Sequence, residues 1–102
     1  GKLFVDQRKV DLWTVRGRFQ TGECYFNMQQ YEQAVAEFVN IEINFKKYPS
    51  WRAKSVLEMG RVLLAQKNRE DAVQRFKEVI TRYGEEKAAI VARQYLDQLR
   101  SG

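Results

Sequence analysis

The residue types that most often carry catalysis are scarce in this sequence of 102 residues. It contains no histidine, which is the commonest general base and zinc ligand, and its single cysteine, Cys24, has no imidazole partner to activate it. Two carboxylate pairs, Glu70 with Asp71 and Glu85 with Glu86, stand where we expect helices to begin. A negative charge there stabilises the positive end of the helix dipole. The sequence therefore argues against an enzyme, and we expect no metal or cofactor site.

The composition is that of a folded chain, and its length predicts one domain. Apolar residues make up 44% of the sequence and charged residues 30%, which is ordinary for a globular protein. The 18 Lys and Arg outnumber the 13 Asp and Glu, and the net charge of +5 favours acidic partners through its long-range field. Because basic residues are spread along the chain instead of being gathered on one face, nucleic acid is not the expected partner.

The sequence leaves the cellular compartment open. It has no run of about 18 apolar residues, so we expect no transmembrane segment. A single cysteine cannot form an intramolecular disulfide and gives no information on the redox compartment. The chain begins without an initiator Met, which suggests a fragment or a processed chain, and the absence of a targeting signal then says nothing about the parent protein.

A stretch covering residues 22–38 recurs 38 positions later in the chain. The shift places Gly22 on Gly60 and Phe38 on Phe76. A small residue where two helices must approach, followed at a fixed offset by an aromatic residue, is typical of a helix-turn-helix unit that stacks on its neighbours. The sequence therefore predicts an internal repeat of helix pairs.

Apolar residues recur at threes and fours along most of the chain, which is the period of amphipathic helices. The predicted fold class is all-α, with two helix pairs followed by a closing helix. The predicted segments are an N-terminal segment at 1–13, a first repeat at 14–48, a second repeat at 50–83, a closing helix at 85–99 and a frayed tail at 100–102. The N-terminal segment is either a short helix against the first unit or an extended arm that docks on another copy.

Short local signals mark the ends of the predicted helices. Pro49 ends the second helix, and Ser50 can cap the third. Asn68 with Asp71 three residues later resembles a capping box, and Gly84 stops the fourth helix.

The two units differ in one spacing. Ten residues separate Phe38 from Tyr48, whereas seven separate Phe76 from Tyr83. We therefore expect the second helix to be about one turn longer than the fourth, or to carry a bulge near residues 40–44.

These patterns resemble the tetratricopeptide repeat (TPR) family. Its motif has a small Gly, an aromatic three residues later, an Ala in the next helix, an aromatic four beyond it, and a Pro near the exit. The matching residues are Gly22, Tyr25, Ala34, Phe38 and Pro49 in the first unit, and Gly60, Leu63, Ala72 and Phe76 in the second. The resemblance covers residues 14–99. It implies a right-handed α-solenoid of two repeats plus a C-terminal closing helix, acting as a non-catalytic protein-protein interaction scaffold or adaptor.

The residues that close the two units are similar to those of bacterial cell-envelope members of this family. Tyr48 with Pro49 and Tyr83 with Gly84 resemble the Tol-Pal-associated protein and the lipoprotein of the outer-membrane β-barrel assembly machine. This narrower likeness implies a periplasmic or cell-envelope location, with the cytoplasm as the alternative.

The first helix of each pair lines the concave face in this family, which implies a peptide-binding groove in this chain. Carried over residue by residue, the groove consists of Arg16, Phe19, Glu23, Phe26, Asn27, Lys54, Leu57, Arg61, Leu64 and Ala65. An apolar floor with a basic rim fits a peptide that has hydrophobic anchors and an acidic residue or free carboxylate. The alternative is that Phe19 and Leu57 lie beneath the N-terminal segment and only pack.

Two helix pairs and a closing helix are few for a stacked array, which is usually stable only with three or more units. The alternative function is therefore structural self-assembly, as a homo-oligomer or as a fragment of a longer repeat array. Trp13 and Trp51 are candidates either for the core or for an interface. We expect both in the core.

Overall fold

Five helices joined by short turns make up the chain in a computed structural model that describes residues 5–101. The helices are α1 (Gln7–Asn27), α2 (Tyr31–Asn44), α3 (Pro49–Ala65), α4 (Arg69–Arg82) and α5 (Lys87–Ser101). The described range contains no strand. The prediction of an all-α helical repeat is therefore confirmed. None of these five helices is long and apolar enough to cross a membrane.

The shift of 38 residues relates the turns of the two units as well as their helices. Gln29 and Lys67 occupy equivalent places between the paired helices and have φ angles of 60° and 62°. The next amide donates across each turn, from Gln30 to the Tyr25 carbonyl at 2.8 Å and from Asn68 to the Leu63 carbonyl at 2.8 Å. Both turns are therefore Schellman motifs, in which a left-handed residue lets the last carbonyls of a helix find donors.

The predicted lengthening of the second helix is wrong. Both α2 and α4 have 14 residues, and each is followed by a four-residue connection, 45–48 and 83–86. Phe45 is the counterpart of Tyr83, because each follows its helix and donates its amide to the last turn. Tyr48 and Tyr83 are therefore not equivalent residues. The prediction compared the distance from Phe38 to Tyr48 with that from Phe76 to Tyr83, and these two distances end at different positions of the repeat unit.

The first helix begins at Gln7, earlier than predicted. The Oδ1 atom of Asp6 accepts hydrogen bonds from the amides of Arg8 at 3.0 Å and Lys9 at 3.4 Å, and this N-cap begins the helix. Residues 7–13 are consequently the first turns of α1 and form neither a separate short helix nor an extended arm. Residues 1–4 lie outside the described part of the chain.

Three other helix ends differ from the expectation, and one agrees with it. Pro49 is the first residue of α3, so Ser50 lies inside the helix instead of capping it. The closing helix begins at Lys87, after the two glutamates, and continues through Arg100 to Ser101. The predicted cap at Asn68 is confirmed, since its side chain accepts the amide of Asp71. The reciprocal bond of a capping box is not formed, because the amide of Asn68 donates to the Leu63 carbonyl. Gly102 of the predicted tail lies outside the described residues.

Each helix pair is held together by an aromatic ring packed on a glycine. Phe38 and Phe76 are fully buried. A Cβ atom added to Gly22 would lie 2.7 Å from Cε1 of Phe38, and one added to Gly60 would lie 2.6 Å from Cε1 of Phe76. The small residue of the repeat is therefore required by the close approach of the ring.

Candidate binding face

The face formed by α1, α3 and α5 contains the predicted groove residues, but two of them belong to the core. Phe19 is 6% exposed and Leu57 is 7% exposed. The ring of Phe19 packs between Phe38 at 5.4 Å and Trp51 at 5.5 Å between centroids. Phe19 is thus a packing residue, as in the alternative that the sequence left open, but Trp51 of α3 covers it and not the N-terminal segment.

Lys54 places a positive charge on top of this aromatic cluster. Its Nζ atom lies 4.6 Å from the centroid of Trp51 and 5.3 Å from that of Phe19. An ammonium over a ring face is attracted by the quadrupole of the ring, which holds the otherwise flexible side chain in position. Lys54 is itself exposed, so its charge remains accessible from solvent.

Arg61 is engaged within the protein. Its Nη1 atom lies 2.9 Å from both carboxylate oxygens of Glu58, and its Cζ atom lies 5.4 Å from the centroid of the Phe26 ring. Glu58 is buried, and burial raises the pKa of its carboxyl above the usual range, as does the nearby charge of Glu23, while Arg61 and Lys54 oppose the shift. Arg61 therefore neutralises a buried carboxylate and is not a free rim cation.

The remaining predicted residues lie along the edges of the same helices. Arg16, Glu23 and Asn27 are exposed on α1, and the repeat shift pairs Arg16 with Lys54. Leu64 is half-buried near the end of α3. The face therefore carries exposed charges along its edges, around aromatic rings that are partly covered.

A cavity of about 450 Å³ opens between α3 and α5, and we call it the lysine cavity. Its lining residues are Ser50, Lys54, Leu57, Glu86, Lys87, Ala88 and Val91. Aliphatic side chains form most of its wall, and two lysines with one glutamate stand around it. Its volume is within the range of about 300 to 1,000 Å³ that is usual for ligand pockets.

The contribution of α5 to this cavity was missed by sequence reasoning. The family motif was carried only onto α1 and α3, so Lys87, Ala88 and Val91 were not considered. The helix is held in place by Tyr95, whose ring stacks on Phe76 with centroids 4.7 Å apart and planes 1° from parallel. Apolar residues of α5 in the sequence predicted a buried helix, but no local signal indicated which helices it would cover.

The comparison with known families agrees with the internal repeat. The tetratricopeptide repeat family model matches residues 17–41 and 54–85, which together are more than half of the chain. The first match ends within α2, and the second covers most of α3 and all of α4. No curated protein and no solved structure matches the chain. Since the matched stretches are the two helix pairs that the structure shows, the chain belongs to the tetratricopeptide repeat family.

Proposed function

We propose that this chain binds a segment of another protein on the face formed by α1, α3 and α5, as a non-catalytic adaptor. Repeats of this family generally mediate protein-protein interaction, and the first helix of each pair lines the concave side. The observation that supports a site on this face is the lysine cavity, which places aliphatic walls beside two lysines. The aliphatic walls and the two lysines can both act by binding alone, without a chemical step from the protein.

The lysine cavity favours a ligand that combines an aliphatic side chain with a carboxylate. Leu57 and Val91 offer apolar contact to the side chain, and Lys54 and Lys87 offer charge-assisted hydrogen bonds to the carboxylate. Glu86 offsets one of the two positive charges, so the local charge still favours an anion. An acidic residue beside a hydrophobic anchor, or a C-terminal carboxylate, has this chemistry.

The contacts of Arg61 move the electrostatic part of the proposal to the lysines. The sequence placed Arg61 on the rim, but in the structure this residue faces Glu58 at 2.9 Å. Lys54 and Lys87 are exposed and line the cavity. We therefore assign the capture of the carboxylate to Lys54 and Lys87.

A library of short peptides that end in an aliphatic residue tests this proposal by fluorescence anisotropy. We expect binding to be lost in Lys54→Gln and Lys87→Gln and to weaken when the terminal carboxylate of the peptide is replaced by an amide. Lys46→Gln is the matched control, since Lys46 is an exposed lysine of the connection between α2 and α3. Binding that is equal in all three variants, with unchanged helical signal, would remove the lysine cavity as the site.

The second candidate is structural self-assembly, as a homo-oligomer or within a longer array of repeats. One observation favours it: Trp13, predicted for the core, is 79% exposed on α1. Light scattering over a wide concentration range tests the homo-oligomer, whose mass would rise with concentration. A monomer mass that stays constant with concentration would exclude the homo-oligomer and leave the longer array of repeats as the form of self-assembly to test.

A cell-envelope location stays a prediction. It rests on Tyr48 with Pro49 and Tyr83 with Gly84, and these pairs stand at different places in the repeat unit. Fractionation of cells of the source organism would test it, and recovery of the parent protein in the cytoplasm would contradict it.

A further inference from the structure

One side of α1 carries no charge although it faces outward, and we call it the α1 stripe. It consists of Val10, Trp13, Gly17, Thr21 and Cys24, which recur at threes and fours and share one side of the helix. All five are exposed, with Trp13 at 79% and Val10 at 43%. A helix side that meets only water usually carries charged or polar side chains, so this stripe needs an explanation.

The second repeat shows what covers the same side of its first helix. The shift of 38 residues maps the α1 stripe onto Tyr48, which directly precedes α3, and onto Trp51, Ser55, Met59 and Val62 of α3. Ser55, Met59 and Val62 are buried, and Trp51 packs on Phe19 of α1.

Polar contacts at the start of this α3 surface show the same neighbours. The hydroxyl of Tyr48 donates to Oδ2 of Asp11 at 3.0 Å, and Nε of Arg52 donates to the carbonyl of Glu42 at 2.9 Å. Asp11 belongs to α1 and Glu42 to α2. The equivalent of the α1 stripe is therefore the surface on which the preceding helix pair, α1 with α2, packs.

The closing helix does not repeat this packing surface. The shift maps the stripe onto Glu86, which precedes α5, and onto Ala89, Arg93, Asp97 and Arg100 of α5. Ala89 is buried, but the other three are exposed, and α5 packs through another side, which includes Ala88, Ala92 and Tyr95. Where these positions of the closing helix meet solvent they are charged, whereas the α1 stripe carries no charge.

The stripe borders a shallow groove between α1 and α2. This groove, about 330 Å³ in volume, is lined by Trp13, Thr14, Gly17, Arg18, Thr21 and Glu37, and the ion pair between Arg18 and Glu37, at 3.1 Å, joins its two walls. A Cβ atom at Gly17 would meet no described atom within 4 Å. A partner helix can therefore approach the backbone of α1 closely here, where α3 has the small residue Ser55.

We propose that the α1 stripe and its groove bind an apolar helical hairpin, packed on α1 as the α1–α2 pair packs on α3. The packing of Trp51 gives the chemistry of the partner. It must offer a ring or a branched aliphatic side chain to Trp13, as Phe19 does to Trp51, and an apolar helix to Gly17 and Thr21. This inference stands apart from the lysine cavity, which lies between α3 and α5.

A second copy of the chain does not have this chemistry. In a symmetric pair centred on Gly17, the Arg16 residues of the two copies would lie close together, and like charges oppose such contact. Arg18 is already paired with Glu37 and offers no free charge to a second copy. In a head-to-tail pair the partner surface would come from α5, whose outer side carries Arg93 and Asp97. The occupant is accordingly a hairpin whose second helix is apolar on one side, as α2 is.

The test extends the chain by one repeat. A copy of residues 11–48 is inserted directly before Asp11. Asp11 then follows the copied Tyr48, just as Pro49 follows Tyr48 in the protein. Trp51 and the copied Trp13 are changed to Phe, which leaves the original Trp13 as the only tryptophan. We expect its emission to shift to the blue and its quenching by acrylamide to fall to the level of Trp51, measured in the unextended Trp13→Phe chain.

Two variants of the extended chain serve as controls. Gly17→Glu places a charge and a side chain within the stripe, so Trp13 should stay as open to quenching as in the unextended chain. Gln98→Glu places the same charge at an exposed position of α5, outside the stripe and its groove, and should leave Trp13 protected.

Two results would overturn the proposal. One is an extended chain whose Trp13 stays open to quenching, whether its helical signal has grown or not. The other is a dimer of the unextended chain that Gly17→Glu disperses in light scattering, because the occupant would then be a second copy.

Discussion

Two glycines of α1 provide a matched pair for testing how packing restricts this fold. Gly17→Ala and Gly22→Ala are the same substitution in the same helix, so they affect the unfolded chain alike. At Gly17 the new Cβ would meet no atom within 4 Å in the described part of the chain, whereas at Gly22 it would lie 2.7 Å from Cε1 of Phe38. The difference in stability between the two variants therefore measures the contact in the folded state.

The magnitude follows from two opposing effects. Ala is preferred over Gly in a helix interior by about 0.8 to 1.0 kcal/mol, so Gly17→Ala should raise the free energy of unfolding by that amount. At Gly22 the same gain is opposed by overpacking, which costs about 1 to 3 kcal/mol. The ring of Phe38 has little room to move, because it is fully buried and packs 5.4 Å from Phe19. Because the gain from Ala is the same in both variants, we expect Gly22→Ala to be less stable than Gly17→Ala by the overpacking cost alone, about 1 to 3 kcal/mol.

Urea denaturation followed by far-ultraviolet circular dichroism measures both variants. Gly60→Ala repeats the experiment in the second unit, where the added Cβ would lie 2.6 Å from Cε1 of Phe76. Equal stability of Gly17→Ala and Gly22→Ala would refute the reasoning, since the ring contact would then carry no cost. A loss of stability in Gly17→Ala would show that the α1 stripe is already covered in the isolated chain.

Two further predictions concern single side chains. Gln29 and Lys67 hold φ angles of 60° and 62°, so Gln29→Gly and Lys67→Gly should each raise the free energy of unfolding by up to about 1 kcal/mol. The same denaturation measures this gain, and Gln30→Gly, at a φ of −93°, should give none; a loss at both left-handed positions would contradict it. Burial raises the pKa of Glu58 above its usual value of 4.5, because the folded chain favours the protonated carboxyl. This contribution to stability is complete below pH 4.5 and is lost as the pH rises through the raised pKa. Glu58→Gln should therefore gain stability relative to the wild type from about pH 4.5 upward, and a difference that stays constant with pH would contradict the shift.

The helix pairs could be predicted from the sequence because their packing requirement repeats along the chain. The same contact, an aromatic ring against a glycine, occurs between Gly22 and Phe38 and again between Gly60 and Phe76. The start of α1 was missed because polar residues interrupt the apolar pattern there, and only Asp6 marks it as an N-cap. Periodicity thus located the helices better than it located their ends.

The candidate face was predicted only in part, because the motif identifies a side of a helix and not its neighbours. Phe19 is buried by Trp51, which lies on another helix and far along the sequence. The pairing of Arg61 with Glu58 is different, since the two residues are three apart on one helix and could have been paired from the sequence. The lysine cavity depends on where α5 packs, which Tyr95 and Phe76 determine through a contact between distant residues.

The charges of this face differ in what they can report about binding. Arg61 holds the carboxylate of Glu58, which is buried although Arg61 itself is partly exposed, so removing Arg61 leaves that carboxylate uncompensated and destabilises the fold. Lys54 is exposed above Trp51, so its replacement costs about 1 kcal/mol or less of ring attraction. Loss of a ligand in an Arg61 variant would therefore mix binding with folding. Variants of Lys54 and Lys87 report on binding without this loss of folding stability. An association that weakens with salt and requires both lysines would identify the face by its exposed charge.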